Sequence, residues 1–107
     1  MEWVKLATVE DFAYRRIKSY SVIGRKIGIV KREDGTFFAI EVGCKHQGAD
    51  LTLGRLNGMV LTCPRHGWQY DLESGQCLNR NSAPLRRHAV EVTEGEIWVS
   101  LTPVGDD

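Results

Sequence analysis

Two short segments constrain this chain more than anything else in it: Cys44-Lys45-His46 and Cys63-Pro64-Arg65-His66. Each carries one thiol and one imidazole, and positions 47–62 separate His46 from Cys63. A strand-like apolar run ends just before Cys44, and another, Met59 to Thr62, leads directly into Cys63. Both segments therefore fall where strands give way to loops. A sheet can bring two such loops to one end, where four soft or borderline donors converge. Two thiolates with two imidazoles suit tetrahedral zinc. They also suit a 2Fe–2S cluster with two Cys on one iron and two His on the other. Zinc fingers pair Cys with Cys and His with His within each short loop. A cluster split into a Cys iron and a His iron needs each iron held from both loops, and mixed loops supply that.

The rest of the chain reads as short strands joined by turns. Residues 25–32 alternate around Ile27, Ile29 and Val30, then Glu33-Asp34-Gly35 turns the chain into Thr36 to Val42. Asp-Gly between apolar runs is a strong hairpin signal, because Gly accepts the positive φ of the turn. Asn57-Gly58 precedes the Met59–Thr62 run, and Asp71 to Gly75 turns the chain after Trp68-Gln69-Tyr70. Residues 87–92 and 96–101 form a last hairpin around Thr93-Glu94-Gly95, with Val90, Val92, Ile97 and Val99 able to share one face. Thr8 as N-cap with Asp11 three residues later allows one or two turns of helix. No segment sustains a helical period, so the expected class is all-β, an antiparallel sandwich or barrel.

Composition narrows the function classes. The chain has 107 residues, which fits one domain spanning 1–107 with a core of its own. No run approaches the ~18 apolar residues of a membrane span, and no basic segment followed by an apolar run opens the sequence. No membrane partner and no export signal are expected, which places the chain in the cytoplasm. Lys plus Arg and Asp plus Glu are 14 each, a balance that argues against a general nucleic-acid binder. Residues 25–80 carry eight basic and six acidic side chains, and 86–107 carry two and five, a distribution that fits solvated strand faces. Three cysteines suit metal ligation or core packing in a reducing compartment better than a disulfide framework.

On these two loops the sequence resembles the Rieske-type 2Fe–2S proteins. The likeness takes in Gly48 after the first loop, the run Gly67-Trp68-Gln69-Tyr70-Asp71 after the second, Gly75, the Pro84 segment and the closing hairpin near Glu94-Gly95-Glu96. It covers roughly residues 25–101, and is greatest to the small soluble ferredoxins. The resemblance implies antiparallel sheets with a small cluster-binding subdomain inserted at about residues 43–82. It implies one 2Fe–2S cluster per chain, with Cys44 and Cys63 on the buried iron and His46 and His66 on the exposed one. It also implies a one-electron carrier between a reductase and a terminal oxidoreductase such as an oxygenase, without catalysis of its own. A monomer is expected.

The departures from the family pattern point to its low-potential branch. The disulfide of the higher-potential members would join positions 49 and 65, which are Ala49 and Arg65 here. Trp68 stands where those members place a Ser, while their Tyr is kept as Tyr70, a hydroxyl donor toward the sulfur of Cys44 in the family geometry. Trp68 itself is expected to pack against the loop. Cys77 reads as a core thiol and His88 as a surface or packing histidine. Lys45 and Arg65, inside the loops, are either solvated or part of a docking face. Two other functions remain open at this point: a permanent accessory subunit, like the nitrite reductase small subunit, and a structural zinc module.

Overall fold

The computed structural model describes residues 2–43, 51–64, 67–81 and 83–104. In chain order its strands are β1 (Trp3–Thr8), β2 (Ile17–Val22), β3 (Arg25–Lys31), β4 (Phe37–Glu41), β5 (Arg55–Asn57), β6 (Val60–Thr62), β7 (Gln69–Asp71), β8 (Arg87–Thr93) and β9 (Glu96–Pro103). Among the described residues the only helices are the short 3-10 turns Val9–Phe12 and Leu51–Leu53. The expected helical turn after Thr8 is thus 3-10 rather than α, and the Thr8 N–H donates to the Asp11 carboxylate at 3.0 Å. No helix among the described residues is long and apolar enough to cross a membrane.

Six strands form one sheet in the order β1-β9-β8-β4-β3-β2, and β5-β6-β7 form a second. Every strand pairing is antiparallel, so the all-β class stands. The Asp34-Gly35 turn joins β3 to β4 as its residues dictate: Gly35 takes φ +88, and the Asp34 carboxylate receives both the N–H and the hydroxyl of Thr36. In the last hairpin Val90 lies opposite Val99 and Val92 opposite Ile97, the shared face that alternation dictates.

The run Ile27-Gly28-Ile29-Val30 is apolar on both faces because β3 is buried on both faces. Ile27 and Ile29 join Ala7, Phe12, Ala39, Ile97 and Val99 in one cluster. Val30 turns the other way, with Phe38, Ile40 and Val42, to meet Leu61, Cys63, Tyr70, Leu72 and Leu85. Gly28 permits this approach, since a Cβ there would lie 2.6 Å from Val42 Cγ1. The three-residue strands β5 to β7 have little cooperativity of their own. Leu61, Tyr70 and Leu72 are fully buried, and each such burial contributes roughly 1.5–3 kcal/mol. That packing holds the small sheet on the large one.

Two further links tie the sheets together. Arg32, at the end of β3, makes a two-pronged pair with Glu73, its Nε and Nη2 each donating at 2.9 Å. Its guanidinium also lies 4.5 Å from the centre of the Phe38 ring. The chain at Pro84-Leu85 then packs beside the turn after β7, where the Leu85 N–H donates to the Gly75 carbonyl at 2.7 Å.

Candidate metal centre

Of the four ligand candidates, Cys63 lies within the described residues; Cys44, His46 and His66 lie outside them. Cys63 directly follows β6 and is 3% exposed. It shares its apolar cluster with Val42, which stands two residues before Cys44 in the chain. The chain leading into both candidate segments, at Val42 and at Cys63, therefore meets in one core. An open hollow lined by Leu53, Gly54, Arg55, Thr62, Cys63 and Pro64 leads to this end of the small sheet. A buried, softly ligating thiol at the base of a loop, with a water-excluding core behind it, fits an iron–sulfur centre.

The second loop closes on itself through its backbone. The Cys63 N–H donates to the Trp68 carbonyl at 2.7 Å, and the Gly67 N–H donates back to the Cys63 carbonyl at 3.2 Å. Gly67 reverses the chain at φ +72, a conformation that favours glycine, directly after His66. Trp68 is half-buried against the same core as Cys63 and Tyr70, which supports the packing reading of this residue. Cys77 is half-buried against the same core, and its backbone forms an isolated bridge with Tyr70.

Asn79 was not legible as a site residue in the sequence. Its Oδ1 accepts the Gln69 N–H at 2.9 Å, and its Nδ2 donates to the Gly67 carbonyl at 3.0 Å. Nothing local marks this role, because these two backbone partners lie ten and twelve residues away; the Cys77 Sγ also approaches Oδ1, at 4.0 Å. His88 is far from the loops in sequence and buried in the large sheet. Its Nδ1 donates to the Ser100 carbonyl at 2.8 Å, and its Nε2 lies 2.9 Å from Glu41 Oε2. It is a packing histidine with two polar partners rather than a surface one.

Comparison with known proteins agrees with this architecture. The Rieske [2Fe-2S] domain family matches residues 2–93. Ferredoxin CarAc of Metapseudomonas resinovorans is 32% identical over 99 residues, covering 92% of each chain. The chain is also 32% identical over 78 residues to cholesterol 7-desaturase nvd of Hemicentrotus pulcherrimus, covering 72% of this chain but only 17% of that protein. Among solved structures, the complex of reduced oxygenase and oxidized ferredoxin in carbazole 1,9a-dioxygenase contains a chain 31% identical, with a TM-score of 0.80 and 92% of both chains covered. Buried Cys63 at the root of a glycine-closed loop, a small sheet docked on a larger antiparallel one and a family match over most of the length converge: this chain belongs to the Rieske [2Fe-2S] domain family, whose cofactor is a 2Fe–2S cluster.

Proposed function

We propose that the protein is a one-electron carrier of the ferredoxin type, passing electrons from a reductase to a terminal oxidoreductase such as an oxygenase. The observation that carries this reading is the match to ferredoxin CarAc over 92% of both chains. The structural neighbour whose ferredoxin is seen with its oxygenase suggests the class of acceptor. In this reading Cys44 and Cys63 bind one iron, His46 and His66 bind the other, and residues 43–82 form the cluster-binding part of a single domain. When bound, the cluster supplies a site that takes up and releases one electron, neutral when oxidised and singly negative when reduced.

The chain's own residues hold and insulate that site. Leu61, Tyr70, Leu72 and Val42 exclude water behind Cys63. The Cys63–Trp68 and Gly67–Cys63 backbone bonds keep the second loop compact. On the outer side, the hollow from Leu53 to Arg55 leaves room for approach by a partner. The cytoplasm, whose reducing poise keeps thiols such as Cys77 free, is the proposed compartment. A redox titration tests the proposal. One electron per chain, taken up reversibly and delivered to an oxygenase in the presence of its reductase, is the expected result. A chain that binds iron yet takes up no electron reversibly would overturn it.

A further inference from the structure

Among the described residues, strand β7 has no partner strand on its outer side; the segment 76–79 supplies one only in part. Tyr70 pairs with Cys77 across an isolated bridge. The Asp71 N–H donates to the Gln76 carbonyl at 2.9 Å, and the Leu78 N–H donates to the Gln69 carbonyl at 2.7 Å. One residue further on, the backbone ladder stops and a side chain takes its place. Asn79 Oδ1 accepts from the Gln69 N–H, and Asn79 Nδ2 donates to the Gly67 carbonyl. A primary amide offers the same acceptor and donor as a peptide group, so it extends the ladder by one more rung. The two partners also fix which way the amide points, since a carbonyl only accepts and an N–H only donates.

This rung lies on the returning limb of the second ligand loop. Gly67 directly follows His66, and Gln69 begins the strand that leads away from it. We propose that Asn79 is a positioning residue for the cluster: acting as a surrogate peptide group, it holds the Gly67 carbonyl and the Gln69 N–H, on the limb that leads away from His66, in place. The inference rests on the reading of His66 as a cluster ligand. It is specific for the amide. Aspartate is isosteric but would turn a carboxylate oxygen toward the Gly67 carbonyl, and alanine would leave both backbone groups without this partner.

The test compares Asn79→Asp and Asn79→Ala with Asn57→Asp, which adds the same charge to an exposed position of the small sheet. The readouts are the rate at which a ferrous chelator strips the cluster and the EPR g-values of the dithionite-reduced protein. Both Asn79 variants should lose iron about tenfold faster and show shifted g-values. Asn57→Asp should stay within about twofold of the parent with unchanged g-values. Parent-like loss rates and g-values in the folded Asn79 variants would overturn the proposal. Should neither variant fold, amide exchange in the unmodified protein decides: a protected Gln69 N–H supports the bond to Asn79, and a freely exchanging one contradicts it. The ligand reading fails separately, if His66→Ala keeps the parent's cluster spectrum.

Discussion

His88 and Glu41 join β8 to β4 inside the large sheet, with His88 Nε2 2.9 Å from Glu41 Oε2 and the imidazole fully buried. Nδ1 faces the Ser100 carbonyl, which can only accept, so Nδ1 carries a proton. Nε2 faces the Glu41 carboxylate, and Arg25 Nη1 approaches the same carboxylate oxygen at 3.5 Å. The backbone pairing it reinforces is short, two residue pairs between β4 and β8. His88→Ala should destabilise the fold by about 2–3 kcal/mol, because it opens a cavity and strips buried polar groups of a partner. His88→Gln, which keeps a polar amide near the Nε2 position, should recover part of that loss. Urea unfolding measures both, and iron content should stay at the parent value in each.

Gly75 and Gly35 make a controlled pair. Both have positive φ, +81 and +88. A Cβ at Gly35 would meet nothing within 4 Å, whereas one at Gly75 would collide with the Leu85 carbonyl oxygen. Gly35→Ala should cost about 1 kcal/mol, the ordinary backbone penalty. Gly75→Ala should cost more than ~2 kcal/mol, since the Pro84-Leu85 segment must also move. Thermal unfolding of the two variants reads the difference; equal costs would show that the Pro84-Leu85 segment is not held tightly at Gly75.

The Arg32–Glu73 pair makes the docking of the small sheet acid-sensitive. The hydrogen bond from Arg32 holds the Glu73 carboxyl below the usual carboxylate range. A depressed value stabilises the fold above the unfolded-state value of about 4.3, and that contribution disappears as pH falls through the lower folded value. The pair is partly solvated, so its worth is at most ~1 kcal/mol. The stability difference between the parent and Glu73→Gln should be present at neutral pH and shrink as pH falls through the lowered folded value. A difference that persists undiminished in acid would show that Glu73 acts through packing alone.

The redox potential should lie in the lower half of the Rieske range of about −150 to +300 mV. Ala49 and Arg65 preclude the loop disulfide, and Trp68 packs on the core where the higher-potential pattern places a hydroxyl. Tyr70, buried in the same cluster as Cys63, retains the other hydroxyl. Tyr70→Phe should lower the potential by roughly 40 mV if its bond is stronger by ~1 kcal/mol in the reduced state. Protein-film voltammetry gives both values, and a parent potential well above zero would contradict the assignment to the low-potential branch.

How far the sequence discloses this fold depends on whether the signal is local. The β3–β4 and β8–β9 hairpins are legible because Asp34-Gly35 and Glu94-Gly95 carry their turn chemistry in adjacent residues. The β2–β3 hairpin is not: its turn is Ile23-Gly24, and Ile23 adopts φ +47, where a β-branched side chain is unexpected. Strand β1 pairs with β9 from opposite ends of the chain, Trp3 against Ser100, so no short-range pattern announces it. At the proposed site, the Cys and His segments stand out by residue type and spacing. Asn79 and the buried face of His88 do not, because their roles exist only once distant backbone groups have come together.

The most direct test of the account is the metal and sulfide content of the purified protein, read with its visible spectrum. Two irons and two acid-labile sulfides per chain, with visible absorbance that bleaches on one-electron reduction, are the result expected of Cys44, His46, Cys63 and His66 as the ligand set. One zinc per chain in colourless protein would contradict it.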